Sequence, residues 1–139
     1  SAHPLDLAEL RAHWLSMFEP WDEMFTLASG LKADYRVYLL SNIGDMHWAH
    51  LDTLYGLDTL VHGACASFRV GAIKPHVDIY RKAELMFDLD PAATVFLDDL
   101  LPNVIAAREC GWHAIHHSDA GLTRSKLRDL GVRLPAPFT

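Results

Sequence analysis

Two adjacent carboxylates, Asp98 and Asp99, directly follow an apolar run at residues 94–97. Neighbouring carboxylates repel each other unless a cation lies between them or one of them is protonated. A hard divalent cation relieves this repulsion, and Mg²⁺ commonly binds one or two protein carboxylates together with phosphate and water oxygens. The pair therefore predicts a magnesium site next to a bound phosphate group.

Three further polar residues have types that suit a phosphate. Ser41 and Asn42 follow the apolar run at 37–40 and would donate hydroxyl and amide hydrogen bonds, helped by nearby backbone N–H groups. Lys74, just before Pro75, would bring positive charge to a phosphate and to a carboxylate nucleophile. Simpler roles stay open, because Ser41 and Asn42 could cap a helix and Lys74 could be a solvated loop lysine. One of the two aspartates could also cap a helix, but the other would then still need a partner.

Apolar spacing predicts alternating helices and strands that bring these residues together. Short continuous apolar runs are typical of strands buried on both faces, whereas apolar residues three and four apart predict helices. The alternation predicts an α/β fold, a three-layer, Rossmann-like parallel sheet with helices on both faces. In such sheets ligands bind beyond the carboxyl ends of the strands. The predicted helices are 7–17, 24–31, 45–55 with Asp45 as N-cap, 75–87 with Pro75 in the first turn, and 103–110, and the predicted strands are 37–40, 94–97, 112–117 and, more weakly, 60–64.

Composition restricts the class of protein. The 139 residues, half of them hydrophobic, suit one globular domain. A net charge of −6 is unsuited to a broad nucleic-acid or anionic membrane surface. Two cysteines without metal spacing predict a reducing, cytoplasmic location, and no apolar stretch approaches the roughly 20 residues of a membrane span. The nine histidines show no zinc-ligand set at suitable spacing.

The motifs LLSN, GAIKP and FLDDLLPN, in this order and at these separations, resemble those of the haloacid dehalogenase (HAD) superfamily, in particular its phosphatase-like branch. The resemblance covers almost the whole chain. It implies that Ser41, Asn42 and Lys74 bind phosphate, and that Ser41 and Lys74 also take part in catalysis. It further implies that Asp98 and Asp99 are the carboxylates that bind Mg²⁺.

The chain shows no counterpart of the family's first motif, an Asp-x-Asp pair after the first strand whose first aspartate attacks phosphorus. Residues 87–91, FDLDP, follow a predicted helix and are interpreted as a capped helix end and a turn. We therefore expect that the central first strand and most of the helical cap are missing. Residues 1–19 would be a remnant of the cap, and 20–139 a partial HAD-like core. Because a gap in the sheet would leave backbone groups unsatisfied, we expect a longer parent protein, self-association, or a segment supplied by another chain.

The resemblance implies Mg²⁺-dependent hydrolysis of a small phosphorylated metabolite, through an aspartyl-phosphate, in the intact protein. This chain alone would be inactive. Asn103 would support the site from the following helix, or would serve only the start of that helix. Two alternatives stay open, a 2-haloacid dehalogenase-like hydrolase and a non-catalytic fragment or pseudo-enzyme that binds a partner or an anion. The paired aspartates favour the phosphatase, because the dehalogenase branch does not use magnesium.

Overall fold

The fold is a single parallel sheet flanked by helices, seen in a computed structural model that describes residues 12–15, 22–57 and 61–134. The five strands have the order β3-β2-β1-β4-β5, and every neighbouring pair is parallel. The strands are β1 (Ala12–Leu15), β2 (Arg36–Ser41), β3 (Gly63–Ala66), β4 (Thr94–Asp98) and β5 (His113–His116). The helices are α1 (Asp22–Leu31), α2 (Asp45–Tyr55), α3 (Ser67–Val70), α4 (Val77–Phe87), α5 (Leu101–Glu109) and α6 (Ala120–Asp129).

Alternate side chains of β2 pack on opposite faces of the sheet. Val37 and Leu39 are buried in one cluster with residues of α1, α2 and α6. Tyr38 and Leu40 are buried in a second cluster with residues of α4 and α5. Successive residues of a strand point to opposite faces, so a strand covered on both sides must be apolar at every position. The predicted three-layer α/β architecture is confirmed. No helix in the described part of the chain has both the length and the apolar character needed to cross a membrane.

The central strand is present, which corrects the expectation that it is missing. Residues 12–15 form β1, which pairs with β2 on one side and with β4 on the other. The helix predicted over 7–17 is therefore wrong at 12–15, and these residues belong to the core sheet and not to a cap. A four-residue strand carries too little sequence to reveal its own period, and pairing with two neighbours outweighs local helical spacing. Residues 1–11 and 16–21 lie outside the described part of the chain.

Several element boundaries also differ from prediction. The helix predicted to begin at Pro75 begins at Val77 after His76, whose side chain accepts a hydrogen bond from the backbone of Asp78. The N-cap of α2 is Gly44 and not Asp45. The strand predicted at 60–64 lies at 63–66, and helices α3 and α6 were not predicted.

The segment FDLDP is a helix end and turn, as predicted. Asp88 caps the C-terminus of α4 with a left-handed backbone, φ 53°. Asp90 then caps the 3₁₀ turn Pro91–Ala93, which leads into β4. These two aspartates precede β4, so they lie at the opposite end of that strand from Asp98.

Gly63 in the edge strand β3 is required by close packing. A Cβ atom at this position would lie 2.7 Å from Cε1 of Phe87 and 3.3 Å from Cδ1 of Tyr38. The rings of Tyr38 and Phe87 are themselves stacked, with centroids 4.2 Å apart, so the Phe87 ring cannot withdraw without losing that contact. Helix α4, which follows the Lys74 segment, is held against the sheet partly through this contact.

We predict that Gly63→Ala lowers the free energy of unfolding by about 1–3 kcal/mol, the usual cost of overpacking. Urea denaturation measures the change. Gly44→Ser is the control, because no atom of the described residues beyond its chain neighbours lies within 4 Å of a Cβ there. Serine is also a favoured N-cap, so the effect should stay within about 0.5 kcal/mol. Equal stability of Gly63→Ala and the parent chain would contradict the packing argument.

Candidate active site

The candidate site lies at the carboxyl edge of the sheet, where β2 and β4 end. Ser41 is the last residue of β2 and Asp98 the last residue of β4. Lys74 lies in the segment between α3 and α4. All three side chains are buried, with relative exposures of 1% for Ser41, 4% for Lys74 and 0% for Asp98.

Lys74 and Asp98 form a buried ion pair at the centre of this edge. The Lys74 Nζ donates to Oδ2 of Asp98 at 2.9 Å and to the backbone oxygen of Leu40 at 3.0 Å. Burial lowers the pKa of Lys74 from its ordinary value, and the Asp98 carboxylate opposes that shift. Removing one partner of such a pair typically costs about 3–5 kcal/mol, because the other charge is left buried and uncompensated. Lys74 is therefore a fixed component of the site and not a solvated loop lysine.

The remaining acceptors of Asp98 are also engaged. Its Oδ1 accepts from the backbone N–H of Leu100 at 2.8 Å, and its Oδ2 accepts from Nδ2 of Asn103 at 3.1 Å. Asn103 is held in turn by the Tyr80 hydroxyl, which donates to its backbone oxygen at 2.8 Å. The structure thus brings Asn103 to the site as a support for Asp98.

Asn42 clamps the backbone of Lys74. Its Nδ2 donates to the Lys74 carbonyl at 3.0 Å, and its Oδ1 accepts from the Lys74 N–H at 2.7 Å. Loop backbone groups need partners when they approach a buried site, and a primary amide supplies one donor and one acceptor. Asn42 therefore positions Lys74, a role that the sequence did not predict, and its proposed contact with phosphate stays a prediction.

Two polar atoms at this edge are buried without a hydrogen-bond partner among the described residues. They are Oγ of Ser41 and Oδ1 of Asp99. Burial raises the pKa of Asp99 from its ordinary value, and the adjacent Asp98 carboxylate raises it further. Unsatisfied buried polar atoms are rare in native structures and concentrate at functional positions. The hydroxyl can donate to an anion and the carboxylate oxygen can bind a cation.

The two aspartates therefore have different surroundings, although the sequence presents them as a pair. Asp98 is committed to Lys74, Asn103 and Leu100, and only Asp99 retains a buried oxygen without a partner. Within residues 12–15, 22–57 and 61–134, no group of three or more His, Cys, Asp or Glu side chains could by itself hold a metal ion. A cation bound here would need further oxygens from phosphate, water or residues outside these ranges.

Two histidines, His116 and His117, support the turn after β4, a role that the sequence did not predict. The Nε2 atom of His116 lies 2.8 Å from the backbone oxygen of Asp99. The backbone N–H of His117 donates to the backbone oxygen of Asp98 at 2.7 Å. The Nδ1 of His117 is also paired with the Thr123 hydroxyl. Both histidines end or follow β5, so the rule that strand ends converge could have identified them.

We predict that Asp99→Asn stabilises the fold at neutral pH without magnesium. A raised pKa means that the folded state retains the Asp99 proton longer than the unfolded state, so this stabilisation is complete below the unfolded pKa and is lost as pH rises through the folded pKa. An amide escapes that loss. Urea denaturation across a pH series should show a gain that vanishes in acid, and exposed Asp88→Asn should show no such trend. A variant less stable than the parent at neutral pH would contradict the prediction.

Two curated relatives match much of the chain. A sesquiterpene phosphatase of Aspergillus oryzae is 34% identical over 94 residues, which is 68% of this chain and 48% of the relative. A D-ribitol-5-phosphate phosphatase of Bacteroides thetaiotaomicron is 26% identical over 130 residues, 88% of this chain and 63% of the relative. The chain thus spans about half to two thirds of the length of these relatives. No family model matches the sequence.

Solved structures share the fold. An uncharacterized protein from Corynebacterium glutamicum matches 93% of this chain and 99% of its own length, with a TM-score of 0.75 and 21% identity. A HAD family enzyme from Bacteroides thetaiotaomicron, in complex with magnesium and inorganic phosphate, is 25% identical, with a TM-score of 0.65 over 72% of this chain and 55% of its own. By its sheet order, its motifs and these relatives, the chain belongs to the haloacid dehalogenase superfamily.

Proposed function

We propose that the intact protein hydrolyses a small phosphomonoester with the help of Mg²⁺. The observation that carries this proposal is the convergence of the Ser41 hydroxyl, the Lys74 ammonium and the Asp99 carboxylate at one edge of the sheet. Both curated relatives are phosphatases by name, and a related structure contains magnesium with phosphate. The relatives' names give different substrates, a sesquiterpene and D-ribitol 5-phosphate, so they do not select one for this chain.

The described residues fit this chemistry in distinct roles. The Ser41 Oγ, buried and without a partner among them, would donate to a phosphate oxygen. The Lys74 ammonium would attract the anion while remaining paired with Asp98. The unpartnered Oδ1 of Asp99 suits Mg²⁺, which when bound would neutralise charge on the phosphate. Asp98 and Asn103 would hold Lys74 and the Asp99 turn in place.

The family's aspartate nucleophile has no counterpart directly after β1. In the family an aspartate at the end of the first strand attacks phosphorus and forms an aspartyl-phosphate. Here β1 ends at Leu15, and residues 16–21 read Ser-Met-Phe-Glu-Pro-Trp, with no aspartate. We therefore propose that this chain alone does not turn over phosphomonoesters.

A second function is favoured by the position of β1. Because β1 occupies the centre of the sheet, a family-type strand bearing Asp-x-Asp would have to displace it. If no such displacement occurs, the chain is a pseudo-enzyme that binds an anion at Ser41 and Lys74 without hydrolysing it. Self-association, or a segment supplied by another chain, was expected because of a gap in the centre of the sheet. Since β1 fills that position, this reason no longer applies. A 2-haloacid dehalogenase activity is less favoured, because it gives no role to Asp99.

We predict that the purified chain shows no magnesium-dependent hydrolysis of para-nitrophenyl phosphate above the rate in buffer. The reason is that no aspartate follows β1 at the family's nucleophile position, and the hydrogen-bond donors of the site cannot attack phosphorus. Release of para-nitrophenol, followed by its absorbance with and without a chelator, measures this. Chelator-sensitive turnover that co-purifies with the chain would show that another residue supplies the nucleophile.

We predict that Asp99→Asn removes the response to magnesium, whereas Asp98→Asn lowers the stability of the fold. A ligand that binds only the folded state raises the thermal midpoint, so Mg²⁺ with inorganic phosphate should stabilise the parent chain. Asp99→Asn should lose the magnesium-dependent part of that rise. Asp98→Asn should lower the free energy of unfolding by about 3–5 kcal/mol, because the Lys74 ammonium stays buried without its counter-ion.

Asp88→Asn is the matched control for both variants. Asp88 is exposed and caps α4, and asparagine tolerates its left-handed backbone. It should behave as the parent chain in both measurements. A full magnesium response in Asp99→Asn would remove Asp99 from the proposed metal site.

A further inference from the structure

A pocket opens beside the candidate site, between the turn after β2 and the loop before Lys74. Its volume is about 600 Å³, within the range of small-molecule sites. Its walls come from two segments, 42–44 and 67–73. The lining residues are Asn42, Ile43, Gly44, Ser67, Phe68, Gly71, Ala72 and Ile73.

The pocket is joined directly to the residues that would bind phosphate. Asn42 lines the pocket and clamps the backbone of Lys74, and Ile73 immediately precedes that lysine. The Ser67 hydroxyl ties the two walls together, accepting from the N–H of Ile43 at 2.8 Å and donating to its carbonyl at 3.1 Å. A ligand whose phosphate lies near Lys74 can therefore place its ester group against walls that are already fixed.

The polar side chains that line the pocket are already engaged by the backbone. The Asn42 amide is paired with Lys74, and the Ser67 hydroxyl both donates to and accepts from Ile43. None of the described residues that line the pocket is charged, although the Arg69 guanidinium lies 5.1 Å from the ring centroid of Phe68. A hydroxyl-rich or charged ester group would lose its water without gaining equivalent partners, which is costly. The pocket therefore offers a polar ester group few side-chain partners.

Four exposed side chains around the site are apolar, beside polar ones such as Asn42 and Asp45. Phe68 and Ile73 in the pocket are 39% and 59% exposed, and Leu100 and Leu101 after the aspartates are 56% and 46% exposed. Single exposed apolar residues are ordinary, but these four belong to segments that follow β3 and β4 at the sheet edge that holds the charged site. A ligand with an anionic head and an apolar tail would complement both parts.

We propose that the phosphomonoester bound here is the ester of an apolar alcohol, with its hydrocarbon chain on Phe68 and Ile73. This inference rests on the proposed phosphate site at Ser41 and Lys74. The phosphate group remains at the charged site. The hydrocarbon part of the ester packs against the pocket wall and is thereby removed from water. Burial of apolar surface then supplies the selectivity between phosphomonoesters.

Calorimetric titration of the chain, with Mg²⁺ present, tests the proposal using inorganic phosphate, ethyl phosphate, hexyl phosphate and D-ribitol 5-phosphate. Each fully buried methylene contributes about fourfold in affinity. Hexyl phosphate should therefore bind at least about tenfold more tightly than ethyl phosphate, even if the pocket buries only part of the hexyl group. D-ribitol 5-phosphate should bind no more tightly than ethyl phosphate.

Two pocket variants and one distant control locate the effect. Phe68→Ser and Ile73→Ser should each reduce the preference for hexyl over ethyl phosphate, while inorganic phosphate binds as in the parent chain. Leu85→Ser, at a position of α4 that is 86% exposed, should retain the full preference. Circular dichroism confirms that each variant is folded.

The outcomes separate this inference from the proposed function. Binding of inorganic phosphate with equal affinities for ethyl and hexyl phosphate would overturn the apolar-ester inference alone. If both pocket variants keep the preference for hexyl over ethyl phosphate, the inference is overturned as well, because the hexyl group would then bind outside the pocket. Failure of inorganic phosphate to bind at all would overturn the proposed function together with the inference.

Discussion

The buried ion pair between Lys74 and Asp98 is the interaction on which the rest of this edge depends. It joins β4 to the loop before α4, and through the Leu40 carbonyl it also reaches β2. Removing two charges from water costs free energy that their attraction only partly recovers, so such a pair is weak evidence for stability. What the pair does is fix a position, because it holds the Lys74 ammonium between the ends of β2 and β4.

The neighbouring contacts follow from the need to satisfy that pair. The Asn103 amide and the Leu100 backbone N–H donate hydrogen bonds to the Asp98 carboxylate. Asn42 hydrogen-bonds to the backbone of Lys74 and so fixes its position. The Ser41 hydroxyl and one oxygen of Asp99 are left without partners among the described residues. Among the described residues, this leaves one donor and one acceptor that suit an external anion and a cation. The same arrangement gives the two adjacent aspartates different surroundings.

The sequence predicted the placement of Ser41 and Asp98 at strand ends, but not the strand at the centre of the sheet. Strands β2 and β4 are continuous apolar runs, and the rule that the carboxyl ends of parallel strands share one edge predicts that Ser41 and Asp98 lie at the same edge. β1 was missed because residues 12–15 form a strand only through pairing with β2 and β4, a tertiary effect that local spacing does not report. The clamp by Asn42 was missed for a similar reason, because its partner lies 32 residues away.

The most direct test of the account is amide chemical-shift mapping by NMR during titration of the chain with inorganic phosphate and Mg²⁺. The account predicts that the largest shifts fall on three separate stretches that meet only in the fold, residues 41–43, 73–74 and 98–100. Shifts confined to the distant groove near Arg108 and Lys126, or no saturable shifts at all, would contradict it.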